Sequence, residues 1–148
     1  MHLYVAMMLH LFRWVLIYII YTDIWKYKMS ELLKSNPSVV LMKAFNNACD
    51  ALKLDTKARS DLLGVNRTTL NRNALKGFAP ESKTGELQLH FIRLYRSLFA
   101  IAGGDNRFMQ HWFQTHNTAL NGVPAKMCLT IAGLLRINQY LDAMRGKV

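Results

Sequence analysis

Apolar residues recur at every third or fourth position over much of this sequence, and this helical spacing constrains the fold more than any other feature. Residues 39–54 show it clearly, because Val40, Ala44, Phe45 and Ala48 fall on one face of a helix. No alternating run of apolar and polar residues is long enough to build a sheet. The sequence therefore predicts an all-α fold.

Capping residues and glycines divide the rest of the chain into further helices. Thr56 can cap a short helix that runs to Leu63, Gly64 ends it, and Asn66 can cap another helix that runs to Lys76. Asp105 can cap a later helix in the same way. The turn-forming segment 79–85 follows the helix that ends at Lys76, and we place the boundary between two subdomains there. Beyond it we expect a long helix over about 85–102 and shorter helices after Asp105, from Pro124 and over about 133–145.

The chain of 148 residues is strongly basic, with 19 Lys and Arg against 9 Asp and Glu and a formal net charge of +10. Such a surplus favours a polyanion or an anionic membrane surface as the partner. The two cysteines, Cys49 and Cys128, are too few for a disulfide framework and lie in no metal-binding motif. Free thiols indicate a reducing compartment, so we expect a cytoplasmic protein.

The first 28 residues differ from the rest, since residues 3–21 form an apolar run that only His10 and Arg13 interrupt. A run of that length is about enough to span a bilayer, but Arg13 opposes insertion. Three interpretations of this leader (residues 1–28) stay open: a start site assigned too far upstream, with Met29 as the true start; a membrane anchor; and an additional packed helix. In each case the remaining residues face the cytoplasm.

Residues 29–80 have the features of a helix-turn-helix subdomain. Gly64 provides the positive backbone φ that the tight turn needs, and the small Ser60 lies where the two short helices touch. The second of these helices carries a polar face opposite Leu70, and such a face suits the major groove of DNA. The candidate base-reading residues are Arg67, Thr68, Asn71 and Arg72, and the candidate phosphate contacts are Lys57, Arg59 and Lys76.

The local charge agrees with DNA binding, since the segment 53–96 contains nine Lys and Arg against four Asp and Glu. Arg59 departs from the usual helix-turn-helix pattern, in which its position is more often apolar. The alternative interpretation is a solvated polar helix face on an ordinary helical bundle. Glycine turns between short helices are common in such bundles, so spacing alone leaves both interpretations open.

The long helix over about 85–102 carries two apolar stripes. One contains Leu87, Phe91, Leu94, Leu98 and Ile101, and the other contains Ile92, Tyr95, Phe99 and Ala102. Two stripes require two partners, so either the helix lies at the centre of one core or one of the stripes forms a homodimer. The residues selected for a dimer interface are Phe91, Leu94, Tyr95 and Leu98.

Signals for catalysis are poor. His90, His111 and His116 do not have the spacing of a metal site. The sequence contains no glycine-rich phosphate loop, no nucleophile elbow and no adjacent pair of catalytic carboxylates. We therefore expect neither an enzyme nor a bound cofactor.

The C-terminal half contains several residues in a distinctive order. Trp112 is followed by Asn117-Thr-Ala-Leu-Asn-Gly-Val-Pro124 and by Gly133 and Ile137, and the chain closes with Tyr140-Leu-Asp-Ala-Met-Arg-Gly-Lys-Val148. This order resembles the toxin-binding domain of the Xre/MbcA/ParS antitoxin family, whose longer members have a helix-turn-helix ahead of it. The resemblance covers roughly residues 40–148.

The resemblance implies that residues 81–148 form the toxin-binding domain of an antitoxin from a bacterial type II toxin–antitoxin pair. In that family the partner is usually a RES-domain toxin that attacks cellular NAD or uses it to modify targets. The N-terminal helices of the antitoxin bind double-stranded operator DNA and repress its own operon. Its C-terminal domain covers the entrance to the active site of the toxin.

Carried over to matching positions, the resemblance implies that the loop 117–124 shapes the toxin-binding domain and that the chain end enters the toxin's pocket. The residues concerned are Asn117, Leu120, Gly122 and Pro124 in the loop and Arg145, Gly146, Lys147 and Val148 at the chain end. A flexible cationic tail suits a pocket that holds an anionic dinucleotide.

Two other functions stay open at this point. One is a stand-alone helix-turn-helix transcriptional regulator that has no toxin partner. The other is a membrane-tethered interaction protein whose basic surface lies on anionic lipid, and this function requires that the leader be retained.

Overall fold

The computed structural model describes residues 36–146, in which all regular secondary structure is helical. The predicted all-α fold is confirmed. The helices, in chain order, are α1 (Pro37–Ala51), α2 (Thr56–Leu63), α3 (Arg67–Arg72), α4 (Lys83–Ile101), α5 (Asn106–Gln114), α6 (Pro124–Met127) and α7 (Ile131–Arg145). The predictions for the leader and for Lys147 and Val148 lie outside the described residues.

Side chains at the start of six helices set where each one begins. An oxygen of the N-cap side chain accepts a hydrogen bond from a backbone N–H of the first turn, which has no partner inside the helix. The N-caps that do this are Asn36, Asp55, Asn66, Ser82, Asp105 and Thr130. The caps predicted at Asn66 and Asp105 are confirmed, but the cap predicted at Thr56 is wrong. Asp55 caps that helix, because its carboxylate accepts from the Ala58 backbone N–H at 2.7 Å.

Several helix ends differ from the predicted ones: α1 runs over Pro37–Ala51 and not over residues 39–54, and local hydrogen bonds explain three further differences. α3 ends four residues early, at Arg72, because the Asn73 side chain donates to the Thr69 carbonyl at 2.8 Å and so competes with a continuing helix. α4 and α7 each begin about two residues early. Their first turns are capped by the hydroxyls of Ser82 and Thr130, which both accept a backbone hydrogen bond at 3.1 Å.

α4 lies at the centre of the hydrophobic core and packs against α1, α5 and α7. Its Phe91 contacts Phe45 of α1 and Phe113 of α5, with ring centroids 5.7 and 6.3 Å apart, in edge-to-face arrangements. Leu94 and Leu98 continue the same buried face. The stripe that contains Phe91 therefore packs within the chain, and a homodimer formed through the other stripe stays a prediction.

The predicted dimer interface needs correction at three of its four residues. Phe91 and Leu94 are 0 % exposed and Leu98 is 1 % exposed within a single chain. Side chains already packed inside one chain cannot face a second copy, so these three belong to the core. Tyr95 is half-buried, with its ring centroid 6.0 Å from that of Phe99, and its place in a dimer interface stays a prediction.

α4 and α7 lie side by side and run in the same direction. Three cross-contacts join residues 48 or 49 positions apart: the Asn138 amide donates to the His90 carbonyl at 3.1 Å, the Arg93 guanidinium donates to Asp142 at 2.6 Å, and the Arg145 guanidinium donates to the Ser97 hydroxyl at 3.3 Å. Only parallel helices keep such a constant offset. The arrangement brings the end of α7 beside the C-terminal half of α4.

One hydrophobic core contains residues from both sides of the subdomain boundary that the sequence predicted between residues 80 and 81. α1 packs against α4, and two glutamines of α5 bond to carbonyls at the end of α1. Gln110 donates to the Ala51 carbonyl at 2.9 Å and Gln114 donates to the Leu52 carbonyl at 3.3 Å. These bonds give partners to carbonyls that a helix end leaves open.

Across residues 36–146, no helix combines the length and the apolar character needed to cross a bilayer.

Phe91→Ala should lower the free energy of unfolding by about 3–5 kcal/mol, because it removes buried ring contacts to two other helices and leaves a cavity. Chemical denaturation measures this change. Phe99→Ala is the matched control on the same helix, since Phe99 is 46 % exposed and its loss should cost less than about 1.5 kcal/mol. Equal losses for the two variants would contradict the central position of α4.

Candidate functional site

The helix-turn-helix segment is built around the left-handed turn at Gly64. Its φ is 63°, and the Val65 backbone N–H donates to the Ser60 carbonyl at 3.0 Å to close the turn. Ser60 is 3 % exposed, and Leu63 and Leu70 on either side of the turn are buried in the core. The turn thus holds α2 and α3 at a fixed angle and leaves the opposite face of α3 outside.

The exposed face of α3 contains all four predicted base-reading residues. Arg67, Thr68, Asn71 and Arg72 are exposed, while Leu70 on the other side is 5 % exposed. Arginine and asparagine offer the paired donors and acceptors that match guanine and adenine edges. We call these four residues the recognition face.

The predicted phosphate contacts divide into two groups. Lys57 and Lys76 are exposed, and Lys57 forms only a surface ion pair with Asp61 at 2.7 Å. Exposed pairs of this kind contribute little stability, so Lys57 can exchange its partner for a phosphate. Both lysines therefore keep the positions that a phosphate contact requires.

The prediction that Arg59 contacts phosphate requires a correction, because the Arg59 guanidinium already forms hydrogen bonds within the protein. Its Nε and Nη2 atoms donate to the Leu54 carbonyl at 3.0 and 2.9 Å, and Nη2 also donates to Asp50 at 2.6 Å. The side chain is only 19 % exposed. Arg59 thus ties α2 to the end of α1, which explains why an arginine replaces the usual apolar residue and removes it from the phosphate contacts.

The loop 117–124 is held by hydrogen bonds across its neck. The Asn117 and Gly122 backbones bond to each other at 2.8 and 3.2 Å, and the Asn117 side chain accepts from the Leu120 backbone N–H at 3.1 Å. Leu120 is 1 % exposed and Pro124 is buried at the first position of α6. These two residues shape the loop from inside, so they do not contact a partner directly.

Glycines around Met127 allow α6 and α7 to approach closely. A Cβ atom on Gly133 would lie 2.1 Å from the Met127 carbonyl oxygen, and one on Gly122 would lie 2.7 Å from the Met127 sulfur. The first contact involves backbone, which cannot move aside. Packing therefore requires the helix glycine, Gly133, whereas the flexible Met127 side chain can move to make room for a Cβ at Gly122.

The chain end follows directly from α7. Arg145 is exposed and donates to Ser97 of α4, and Gly146 is exposed with its backbone N–H bonded to the Asp142 carbonyl at 3.1 Å. The φ of Gly146 is −74°, an ordinary helical value, so this glycine is not required by backbone conformation. α7 therefore ends at Arg145, with Gly146 as its C-cap.

The C-terminal segment can now be compared with known families. Residues 97–147 match the antitoxin Xre/MbcA/ParS C-terminal toxin-binding domain. This confirms the resemblance for that segment, which we call the antitoxin domain. A search among curated proteins found no match to the chain.

The antitoxin domain covers the C-terminal end of α4, all of α5, α6 and α7, and the loop 117–124. Its presence supports the role of antitoxin in a toxin–antitoxin pair and implies a toxin as partner. Domains of this family are generally not enzymes. The recognition face lies outside the matched segment.

The cysteine thiols are unsuited to nucleophilic chemistry. Burial raises the pKa of Cys49 and that of Cys128 to about 12, because the protein interior disfavours the charged thiolate. Both behave as small apolar core residues. Within residues 36–146, no group of three or more His, Cys, Asp and Glu side chains is placed to hold a metal ion.

A groove between α4 and α7 contains residues that the sequence patterns did not identify. Its volume is about 410 Å³. It is lined by three arginines (Arg93, Arg96 and Arg145), by the apolar Leu89, Ile92 and Ala100, and by Ser97, and we call it the arginine groove. The spacing of Arg93 and Arg96 on one helix was a visible signal, but the third arginine comes from another helix.

Arg59→Ala should lower the free energy of unfolding by about 1–3 kcal/mol, because the buried Leu54 carbonyl loses two hydrogen bonds. Urea denaturation measures the change. Lys57→Ala is the control on the same helix and should cost less than about 1 kcal/mol, since its ion pair is exposed. Full stability of Arg59→Ala together with lost DNA binding would restore the phosphate role.

Proposed function

We propose that this protein is an antitoxin that neutralises a RES-domain toxin by blocking its active site, and that it represses its own operon through the helix-turn-helix. One observation carries the proposal: an antitoxin domain at residues 97–147 follows a helix-turn-helix whose polar face is exposed. The first element supports a toxin partner, and the second supports a duplex as the other partner.

In the DNA-binding step, α3 enters the major groove with the recognition face toward the base edges. Arg67 and Arg72 read guanine, Asn71 reads adenine, and Lys57 and Lys76 contact phosphates on either side. The net charge of +10 attracts the duplex before these contacts form. Arg59 acts indirectly, because it fixes α2 against α1 and so fixes the angle at which α3 is presented.

The active repressor is proposed to be a homodimer that binds two half-sites. Dimers of this class place their recognition helices about 34 Å apart, one turn of the duplex. Tyr95, with the neighbouring Phe99, is the part of the predicted interface that one chain leaves partly exposed.

In the neutralising step, the chain end acts as a plug. The sequence ends in Arg145-Gly-Lys-Val148, which combines two cationic side chains with a small glycine. A toxin pocket that holds the pyrophosphate of NAD attracts cationic groups, so the tail competes with the dinucleotide. The antitoxin domain itself then covers the entrance, and no chemistry is required of the antitoxin.

Replacing Arg67 or Arg72 with Ala should weaken operator binding by about 1–3 kcal/mol each, because a bidentate base contact is lost. The affinity of wild type should fall with salt, with a log–log slope of about −0.9 for each phosphate neutralised. Arg136→Ala on α7 is the control, since Arg136 is exposed outside the recognition face. Operator binding that does not vary with salt would remove the DNA-binding part of the proposal.

Deleting residues 146–148 should free the toxin, because the plug is lost while Arg145 keeps its bond to Ser97 and α7 stays intact. Growth of cells that express both proteins measures neutralisation, and operator binding in the same variant should stay at the wild-type level.

The control for this deletion is Arg67→Ala, which should lose operator binding and still neutralise. If the truncated antitoxin suppresses toxicity fully, the tail does not act as a plug, and neutralisation depends on the rest of the domain.

A further inference from the structure

We propose that the arginine groove is the docking site for an acidic segment of the toxin, one that also carries apolar side chains. This inference rests on the proposed function, since it names the surface and the partner chemistry of the same antitoxin. It adds a second contact site to the chain end.

The lining of the groove combines cationic and apolar groups. Leu89 is 50 % exposed, and Ile92 and Ala100 lie beside it on the same face of α4, so the apolar part of the lining is continuous along the helix. Arg93 and Arg96 lie among them on that face. A segment with carboxylates and aliphatic side chains matches this mixture, whereas the sugar–phosphate backbone of DNA offers nothing comparable to the aliphatic part.

The charge of the groove is only partly neutralised inside the protein. Arg93 is paired with Asp142 at 2.6 Å, and Arg145 donates to the uncharged hydroxyl of Ser97. Arg96 forms no ion pair with any residue in the range 36–146. Three cations against one carboxylate leave a surplus of positive charge, and arginine forms paired hydrogen bonds with carboxylates.

The shape of the groove suits a peptide segment better than a single small anion. Its lining on α4 runs from Leu89 to Ala100, about 17 Å along the helix axis at the usual rise per residue. A volume of about 410 Å³ accommodates several side chains. The three arginines lie within about one turn of α4, since Arg145 reaches Ser97, and the apolar lining extends beyond them to Leu89 and Ala100. A single phosphate would leave that apolar part uncovered, whereas a peptide segment would cover it.

The position of the groove links it to the proposed plug. Arg145, which lines the groove, is the first residue of the proposed plug, so a toxin segment in the groove would lie next to the rest of the plug. Leu89, Ile92 and Arg93 precede the segment that matches the antitoxin family. The proposed toxin-binding surface therefore extends beyond the antitoxin domain along α4.

The test is a series at Arg96, which is exposed and whose replacement breaks no ion pair within the described residues. Arg96→Lys, Arg96→Gln and Arg96→Glu are made in the full chain and checked for unchanged thermal unfolding. Their affinity for the purified product of the adjacent open reading frame, which is the proposed RES-domain toxin, is measured at low and high salt. Arg107→Glu is the control, because Arg107 is an exposed arginine of the antitoxin domain outside the groove.

We expect a graded loss of toxin affinity, small for Lys, larger for Gln and roughly tenfold for Glu at low salt, and a smaller loss at high salt. Leu89→Ser is a second variant that removes the apolar contact, and its loss of affinity should not depend on salt. Arg107→Glu should bind the toxin several times more tightly than Arg96→Glu does.

Each contrary result has its own meaning. If wild type does not bind the toxin, the proposed function itself fails. If wild type binds and the Arg96 and Leu89 variants bind equally well, the groove inference is wrong and the proposed function stands. If Arg96→Glu instead loses operator binding or self-association and keeps full toxin affinity, the groove serves DNA or a second copy, and the inference is also overturned.

Discussion

The burial of one face of α4 is the interaction on which the rest of the structure depends. Phe91 joins α1, α4 and α5 through edge-to-face ring contacts, and Leu94 and Leu98 extend this contact toward α7. Burying side chains of this size contributes about 1.5–3 kcal/mol each. Because α1 and α4 share this core, the helix-turn-helix is supported by the same packing as the antitoxin domain.

The parallel packing of α4 and α7 forms the arginine groove on the outside of that core. Parallel neighbours need a long connection, and α5, the loop 117–124 and α6 provide it. Gly133, which packs on Met127, lets this connection close tightly. As a result Arg145, at the end of α7, lies beside Arg93 and Arg96 of α4 in the arginine groove.

Arginines of this chain show how context assigns different roles to one residue type. Arg59 is held by the Leu54 carbonyl and by Asp50, and so it stabilises the position of α2. Arg67 on the recognition face and Arg96 in the groove are exposed to solvent. Net charge predicted an anionic partner for all of them alike, but only the local geometry separates a structural cation from one that can bind.

The structural features that the sequence determined by itself depend on residues close together in the chain. The all-α class, the cap at Asn66, the turn at Gly64 and the exposed face of α3 follow from hydrogen bonds and side-chain spacing within a few residues. The order of residues in the C-terminal half was also enough to identify the antitoxin domain.

The tertiary structure decided what depends on residues far apart in the chain. Both stripes of α4 are apolar, and only packing against α1, α5 and α7 selects the one that contains Phe91 for the core. The partners of Arg59 and the arrangement of Arg93, Arg96 and Arg145 around one groove likewise depend on how separate helices meet. Periodicity shows which residues share a helix face, but it does not show which other helix that face will contact.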